Sequence, residues 1–444
     1  MTALPAIRPL LRGLLRGEGT GYGFAQTIVA QLVVVLFNVA TGVLTARLLG
    51  PEGRGIFAAV TMWPQFLASV ALAGLPFALT YHLRQDRDQA GGVLGASFLL
   101  ALLLGILAIL IGVLVMPATM RGRYSTEVIL FCQVFSALTL ANMLSMLAKQ
   151  SFSALGRIRT FNLLSWADPG LYLVLLLAVA ATATLTPERA AFCMGIQTVL
   201  VLAWSLLRLF RYCRPSLAGF RLWMPKILSY TARASGAGVL ANLASYLDRL
   251  VLVALISPHD FGLYVVAFSL SRLLMVLQTG VGAVVLPAMI GTGEAAAKAL
   301  HDRTLVAMLL AITVAIGGCF VLGKPLLVFL YGEEFAGAGL LMAILVIEAS
   351  FSCLCQVTAQ LFLALGRPSY VSVVQGIAFS VMAVGLLILA PAYGAIGAAL
   401  AVTAGTALRF VLLLAAVPLH LRLPLRLAAA FRDLSTLVFP ARPA

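Results

Sequence analysis

Apolar residues run in blocks long enough to cross a bilayer, and the polar residues are confined to the gaps between them. The hydrocarbon core takes about 20 apolar residues of helix. Blocks of that kind, bounded by charge, proline or glycine, predict spans at Phe24–Leu48, Gly55–Tyr81, Gly92–Met116, Thr126–Leu155, Thr160–Thr184, Pro187–Phe210, Ser229–Ile256, Phe261–Ile290, Thr304–Leu322, Ala336–Leu365, Tyr370–Ala390 and Gly394–Pro418. That makes about twelve transmembrane helices, and no gap is long enough for a soluble domain. Pro64, Pro76 and Pro287 fall inside these blocks and are expected to bend their helices and leave room for a cavity.

Two stretches recur at nearly one offset. Leu48-Leu49-Gly50-Pro51-Glu52-Gly53-Arg54-Gly55 after the first block is matched by Leu255-Ile256-Ser257-Pro258-His259-Asp260-Phe261-Gly262 after the seventh. Gln150-Ser151-Phe152-Ser153-Ala154-Leu155-Gly156-Arg157 after the fourth is matched by Gln360-Leu361-Phe362-Leu363-Ala364-Leu365-Gly366-Arg367 after the tenth. The offsets, 207 and 210 residues, predict a duplicated six-helix unit. An even number of spans per unit makes the copies parallel, related by an axis along the membrane normal. The chain then divides into a cytoplasmic segment 1–23, an N-lobe 24–210, a basic linker 211–228, a C-lobe 229–418 and a basic cytoplasmic tail 419–444.

Composition agrees. Of 444 residues 62% are hydrophobic and 10% charged, whereas soluble domains run at about 45–50% apolar and about 25% charged. The mean hydropathy is +1.06. The net charge of +15 would suggest nucleic acid in a soluble protein, but the basic residues lie mostly between the apolar blocks and specify topology instead. With both termini cytoplasmic, the inner loops and tails hold 19 Lys and Arg and the outer loops 6, which predicts N-in, C-in. Residues 1–20 lack a separate short apolar stretch with a cleavage site, so the first span is expected to be retained. The six cysteines read as small core residues. His82, His259, His301 and His420 fall in gaps or block ends, and none has a partner at metal spacing; no cofactor, nucleotide-binding loop or nucleophilic catalytic set is expected.

The motif Ala46-Arg47-Leu48-Leu49-Gly50-Pro51-Glu52-Gly53-Arg54-Gly55, the Ala-Leu-Gly-Arg turn at 154–157 and 364–367, and Pro325–Phe335 before the tenth span resemble a known group. It is the oligosaccharide-lipid flippases of the multidrug/oligosaccharidyl-lipid/polysaccharide exporter superfamily. The resemblance spans the chain and implies two helical bundles around a central cavity. It also implies a bacterial inner-membrane transporter, not an enzyme, that moves an undecaprenyl-diphosphate-linked glycan outward. Partners implied are the lipid-linked anionic glycan, membrane lipids, and polysaccharide polymerase or export proteins.

An ionisable group at membrane depth costs at least about 2.5–3.5 kcal/mol, so each one needs a partner, water or a role. Within the spans stand Lys149, Arg233, Arg249, Arg272 and Arg409, against Asp168, Asp248 and Glu348. The positive surplus suits a diphosphate. Counting rise along the helices places Arg272 level with Asp248 and Lys149 level with Asp168, depths at which each could pair with the other. Arg249, Arg409 and Arg233 are left against Glu348, with Arg233 close enough to its helix end to snorkel. Arg249 and Arg272 are the leading candidates for the diphosphate, with Lys149 and Arg409 beside them. Arg47 and Arg54 flank the outer end of the first span, as a solvated helix end or an outer gate. Asp168-Pro169-Gly170 weakens the fifth span, either as a packing kink or as a break that frees carbonyls. A cation-coupled drug antiporter of the same fold would be expected to place an acidic proton or sodium site in the first lobe, where the first span has no acid and the only carboxylate within a span is Asp168. A membrane glycosyltransferase or polymerase would need a large outer loop, which is also missing.

Overall fold

The computed structural model describes residues 20–216, 219–275, 278, 285, 288–290 and 293–421. Arg8, Arg12, Arg16, Pro287, the His420 side chain, the tail from 422 onward and much of 276–292 in the expected span Phe261–Ile290 lie outside the described residues.

Among the described residues every regular element is helical. In chain order they are α1 (Thr20–Ala71), α2 (Leu75–Gln85), α3 (Ala90–Met120), α4 (Thr126–Phe135), α5 (Leu138–Ala154), α6 (Ile158–Thr182), α7 (Pro187–Tyr212), α8 (Phe220–Leu255), α9 (Pro258–Ser271), α10 (Glu294–Tyr331), α11 (Gly339–Ala364) and α12 (Pro368–Leu421). Eight stretches of the described helices are long and apolar enough to cross a membrane, and two of them, Ala30–Ala71 and Pro368–Leu419, have the length for two crossings. Large apolar side chains such as Leu114, Val314 and Phe329 stand exposed on these helices, as lipid-facing positions do.

The packing divides the chain into two compact units, Met1–Tyr246 and Leu247–Ala444, and the division falls inside α8. The first unit closes around Leu75, Leu79, Leu94, Leu147, Phe152 and Trp223, all at most 2% exposed. The start of α8 belongs there because it docks on the end of α1. Asn242 Nδ2 donates to the Ser69 carbonyl at 2.7 Å, and the Ser235 hydroxyl donates to the Ala73 carbonyl at 2.5 Å. The expected second span is broken at this place. α1 stops at Ala71, Gly74 turns at φ 87°, and Pro76 enters the first turn of α2, where its missing N–H has no intrahelical partner to lose. Pro76 therefore starts a helix where the sequence had predicted a bend.

The repeated turns are built alike. At Gly156 and Gly366 the chain takes φ of 76° and 69°. In both copies the following arginine N–H bonds back to a phenylalanine carbonyl, Phe152 or Phe362, and the glycine N–H bonds to residue 153 or 363. This is a Schellman closure, which satisfies two of the carbonyls a helix end leaves over. The other repeated turn is solved in two ways. Gly50, at φ 66°, carries α1 through a non-helical link straight into Pro51. In the second copy Ser257 caps α9, its hydroxyl accepting from the Asp260 N–H, with Pro258 in the first turn.

Two expected loops are helical. Lys298 and Arg303 lie in the first turns of α10, and Lys324 with Pro325 lies near its end. Asp168-Pro169-Gly170 does not break α6, which runs through it. Gly170 instead allows close packing, since a Cβ there would sit 3.0 Å from the Phe37 ring.

Candidate functional site

In the second unit α9 turns one face, at spacings of four residues, through Tyr264, Phe268 and Arg272. The Tyr264 hydroxyl donates to Asp248 Oδ2 at 2.6 Å, and Tyr264 stacks on Phe268 with centroids 6.3 Å apart. Phe268 in turn receives two guanidiniums, Arg249 at 4.5 Å and Arg272 at 4.3 Å from its ring centroid. Contacts of this type stabilise a desolvated cation by about 0.5–2 kcal/mol. Arg272 Nη2 lies 3.1 Å from Glu348 Oε2, and Arg249 Nε lies 3.7 Å from Asp248 Oδ1. On α12 the Thr406 hydroxyl donates to Glu348 Oε1 at 3.1 Å, and Arg409, one turn on, acts on the same carboxylate through space. Asp248 and Glu348 are buried.

The expected pairing of Arg272 with Asp248 is therefore corrected. Rise along a helix gives height but not azimuth, and the chain tightens into a 3-10 turn at Arg272–Leu274 that helps set where Arg272 points. Tyr264, two turns earlier, takes Asp248. Glu348 is shared by Arg272 and Arg409, and Arg233 has no part in this cluster. Arg272 Nε and Arg409 Nε are buried with no hydrogen-bond partner among the described residues. Buried donors of a charged group are normally satisfied, so these two are available to an acceptor that enters the cluster.

In the first unit Lys149 Nζ bonds Asp168 Oδ2 at 2.7 Å, as its depth predicted. Gln197 Nε2 donates to the other oxygen, Oδ1. The α6 carboxylate is thus held from α5 and α7, a structural clamp. Arg47 is exposed at the end of the first expected span. Arg54 lies over the Phe57 ring at 5.2 Å, and Phe57 stacks on Tyr172 at 6.5 Å. Arg233 is exposed, with Nε donating to the Ser229 carbonyl at 3.2 Å.

Sequence reasoning missed Tyr264, Phe268, Thr406 and Gln197. The four-residue spacing of Tyr264, Phe268 and Arg272 was the signal for the first two. It also missed a buried group in α10. Lys298 bonds Asp302 one turn on, His301 Nδ1 stands 3.0 Å from Asp302 Oδ1, and His301 Nε2 stands 3.4 Å from the Thr358 hydroxyl. His301 is fully buried in a helix, not placed in a gap. Among the described residues no cluster of His, Cys, Asp and Glu could hold a metal. The six cysteines are unbridged, four of them buried and Cys213 and Cys319 half-buried.

Similar folds are found among solved structures. An inward-facing multidrug-resistance MATE transporter of the MOP superfamily aligns over 94% of this chain and 100% of its own, with TM-score 0.70 and 15% identity. The lipid II flippase MurJ, in an inward closed conformation, aligns over 94% and 93% with TM-score 0.73 and 14% identity. A MOP-superfamily transporter from Pyrococcus furiosus, described as having a binding pocket of reversed polarity, aligns over 96% and 98% with TM-score 0.60 and 16% identity. The chain has the MOP-superfamily transporter fold. No curated protein matches the sequence. Residues 21–293 match the model of the polysaccharide biosynthesis protein family, more than half of the chain, and the chain belongs to that family.

Proposed function

We propose that this protein is a flippase that carries an undecaprenyl-diphosphate-linked oligosaccharide across the bacterial inner membrane by alternating access, for envelope or exported polysaccharide. The observation that carries this is the cluster in the second unit, where Arg249, Arg272 and Arg409 gather three positive charges around the two carboxylates of Asp248 and Glu348. A diphosphate loses its hydration as it crosses a low-dielectric region, and guanidiniums match its oxygens with paired donors. The buried Nε groups of Arg272 and Arg409, without a hydrogen-bond partner among the described residues, supply donors to it. Lys149, Arg47 and Arg54 hold lesser places, the first as half of an ion pair and the others as an outer receiving site.

Membership of a polysaccharide family supports a glycan substrate, and the likeness to a lipid II flippase supports a lipid-linked one. The two units that part after Tyr246, inside α8, are the moving bodies, so the start of α8 travels with the N-lobe rather than ending a linker at 211–228, and both termini are cytoplasmic. Polymerase or export proteins would receive the glycan outside. A cation-coupled antiporter needs a carboxylate open to a proton or metal ion. Each intramembrane carboxylate here already has an internal cation beside it, Lys149 for Asp168, Arg249 for Asp248 and Arg272 for Glu348. Deleting the gene in its host should leave lipid-linked glycan on the inner leaflet, out of reach of added glycosidase. A plasmid copy should restore access, and an Arg249→Ala copy should not. Normal surface glycan in the deletion strain contradicts the proposal.

A further inference from the structure

Away from the arginine cluster, the first unit carries a pocket of about 800 Å³ between the end of α2 and the start of α8, lined by Tyr81, His82, Lys226, Ser229, Tyr230 and Arg233 among others. Lys226, Ser229, Tyr230 and Arg233 fall at positions i, i+3, i+4 and i+7 of α8, so one helix face presents two cations with a hydroxyl between them. Lys226 and Arg233 are about 10 Å apart along the axis, two turns of the same helix face. The Lys226 ammonium rests 4.7 Å from the Trp223 ring, and the Arg233 guanidinium is held to the Ser229 carbonyl. Tyr81 and Tyr230 stack with centroids 5.0 Å apart and form an aromatic wall.

His82 is packed edge-on against Tyr81, Tyr230 and Trp223. It is 8% exposed, and its Nε2 has no hydrogen-bond partner among the described residues. Asp86, one turn on, is the acid that acts on this ring, and among the described residues no acid lines the pocket. An aromatic site for a cation would not carry Lys226 and Arg233 at its mouth. Tyr81 ends the second expected span and Ser229 begins the seventh, so the pocket sits at the headgroup level of the leaflet that the positive loops assign to the cytoplasm.

We propose that this pocket binds a phosphate ester, the headgroup of an anionic phospholipid, with Lys226, Ser229 and Arg233 on the phosphate and the tyrosine pair against its organic part. The pocket shares no lining residue with the arginine cluster, and the proposal does not depend on the flippase reading.

The test uses Ser229→Cys in the full chain, reconstituted in phosphatidylcholine nanodiscs with or without phosphatidylglycerol, or with inorganic phosphate added. Reaction with N-ethylmaleimide is followed by peptide mapping. Burial pushes the thiol of the native Cys213 up, so its labelling should be slower, and peptide mapping separates it from position 229. Gln85→Cys, exposed on the same face but outside the pocket, serves as reference. Phosphatidylglycerol should slow labelling at 229 severalfold and leave 85 unchanged, and Lys226→Gln with Arg233→Gln should abolish the protection. Both positions are exposed, so these changes leave the packing intact. Arg233→Lys, which keeps the charge, should retain protection. Equal protection by inorganic phosphate alone supports the phosphate site with a soluble ester as its source. The same slowing at position 85, protection that survives the double glutamine variant, or no protection by either phosphate overturns the proposal.

Discussion

A Cβ built on Gly74 would lie 2.6 Å from the carbonyl oxygen of Thr231, so at the break between α1 and α2 the α8 backbone sits directly against the chain. Two costs then fall on one substitution. Gly74 has φ 87°, where an added side chain costs about 1–2 kcal/mol, and the α8 backbone cannot retreat without further loss. Gly74→Ala should destabilise the protein by about 2–5 kcal/mol. Gly366, at φ 69° with nothing within 4 Å of its would-be Cβ, should cost only the first amount. Thermal unfolding in detergent checks the order, and equal losses would mean that α8 is not seated on Gly74.

The clamp of Lys149, Asp168 and Gln197 ties three helices together. Lys149→Met strands a partly buried carboxylate, and its loss should be about 2 kcal/mol, less than for a fully buried pair because both groups keep some solvent. Lys149→Met combined with Asp168→Leu removes both charges and should regain most of that stability. A double variant as unstable as the single one would argue against the pair.

Arg272 has two roles that one substitution cannot separate. Arg272→Ala leaves Glu348 buried with the Thr406 hydroxyl and Arg409 for company, so the folded amount should fall. Adding Glu348→Gln should restore folded protein, while transport per folded molecule stays low if Arg272 also meets the substrate. Recovery of transport with the second change would confine Arg272 to structure.

Topology is open to direct labelling. Cysteines at Glu52 and His259, both exposed beside the Pro51 and Pro258 turns, should react with an impermeant maleimide added to intact cells. Cysteines at Arg159 and Ser369, exposed beside the Gly156 and Gly366 turns, should react only after the membrane is opened. The reverse pattern would invert the assignment.

The apolar blocks and repeated turns were legible because each depends on neighbours a few residues away. Gly156 and Gly366 needed only their own helix ends to form the same closure. The Lys149 pair was legible for a similar reason, since both residues lie at short, equal distances from one turn. The break at Gly74 was not, because Leu72-Ala73-Gly74-Leu75 is apolar and is interrupted by contact with α8 more than 150 residues on. The partner of Arg272 was hidden as well, since it depends on helix rotation and on α11. Lys298, His301 and Asp302 read as a solvated loop because they are polar and close together. They are buried because the helix extends past the apolar block and folds their charges onto one another and onto Thr358. Even the duplicated turns diverge in use: Arg157 stacks on Tyr212 at 4.7 Å, whereas Arg367 bonds Glu294 at 3.2 Å.

Movement of a lipid-linked anionic glycan by this protein can be measured directly in reconstituted vesicles. Proteoliposomes would be loaded with a fluorescent undecaprenyl-diphosphate oligosaccharide, and its exposure to an external glycosidase would be followed over time. The expected result is protein-dependent transfer that falls sharply in Arg249→Ala and Arg272→Ala/Glu348→Gln while reconstituted amounts stay equal. Transfer no faster than in protein-free vesicles, with the wild-type chain folded and inserted, would contradict the account.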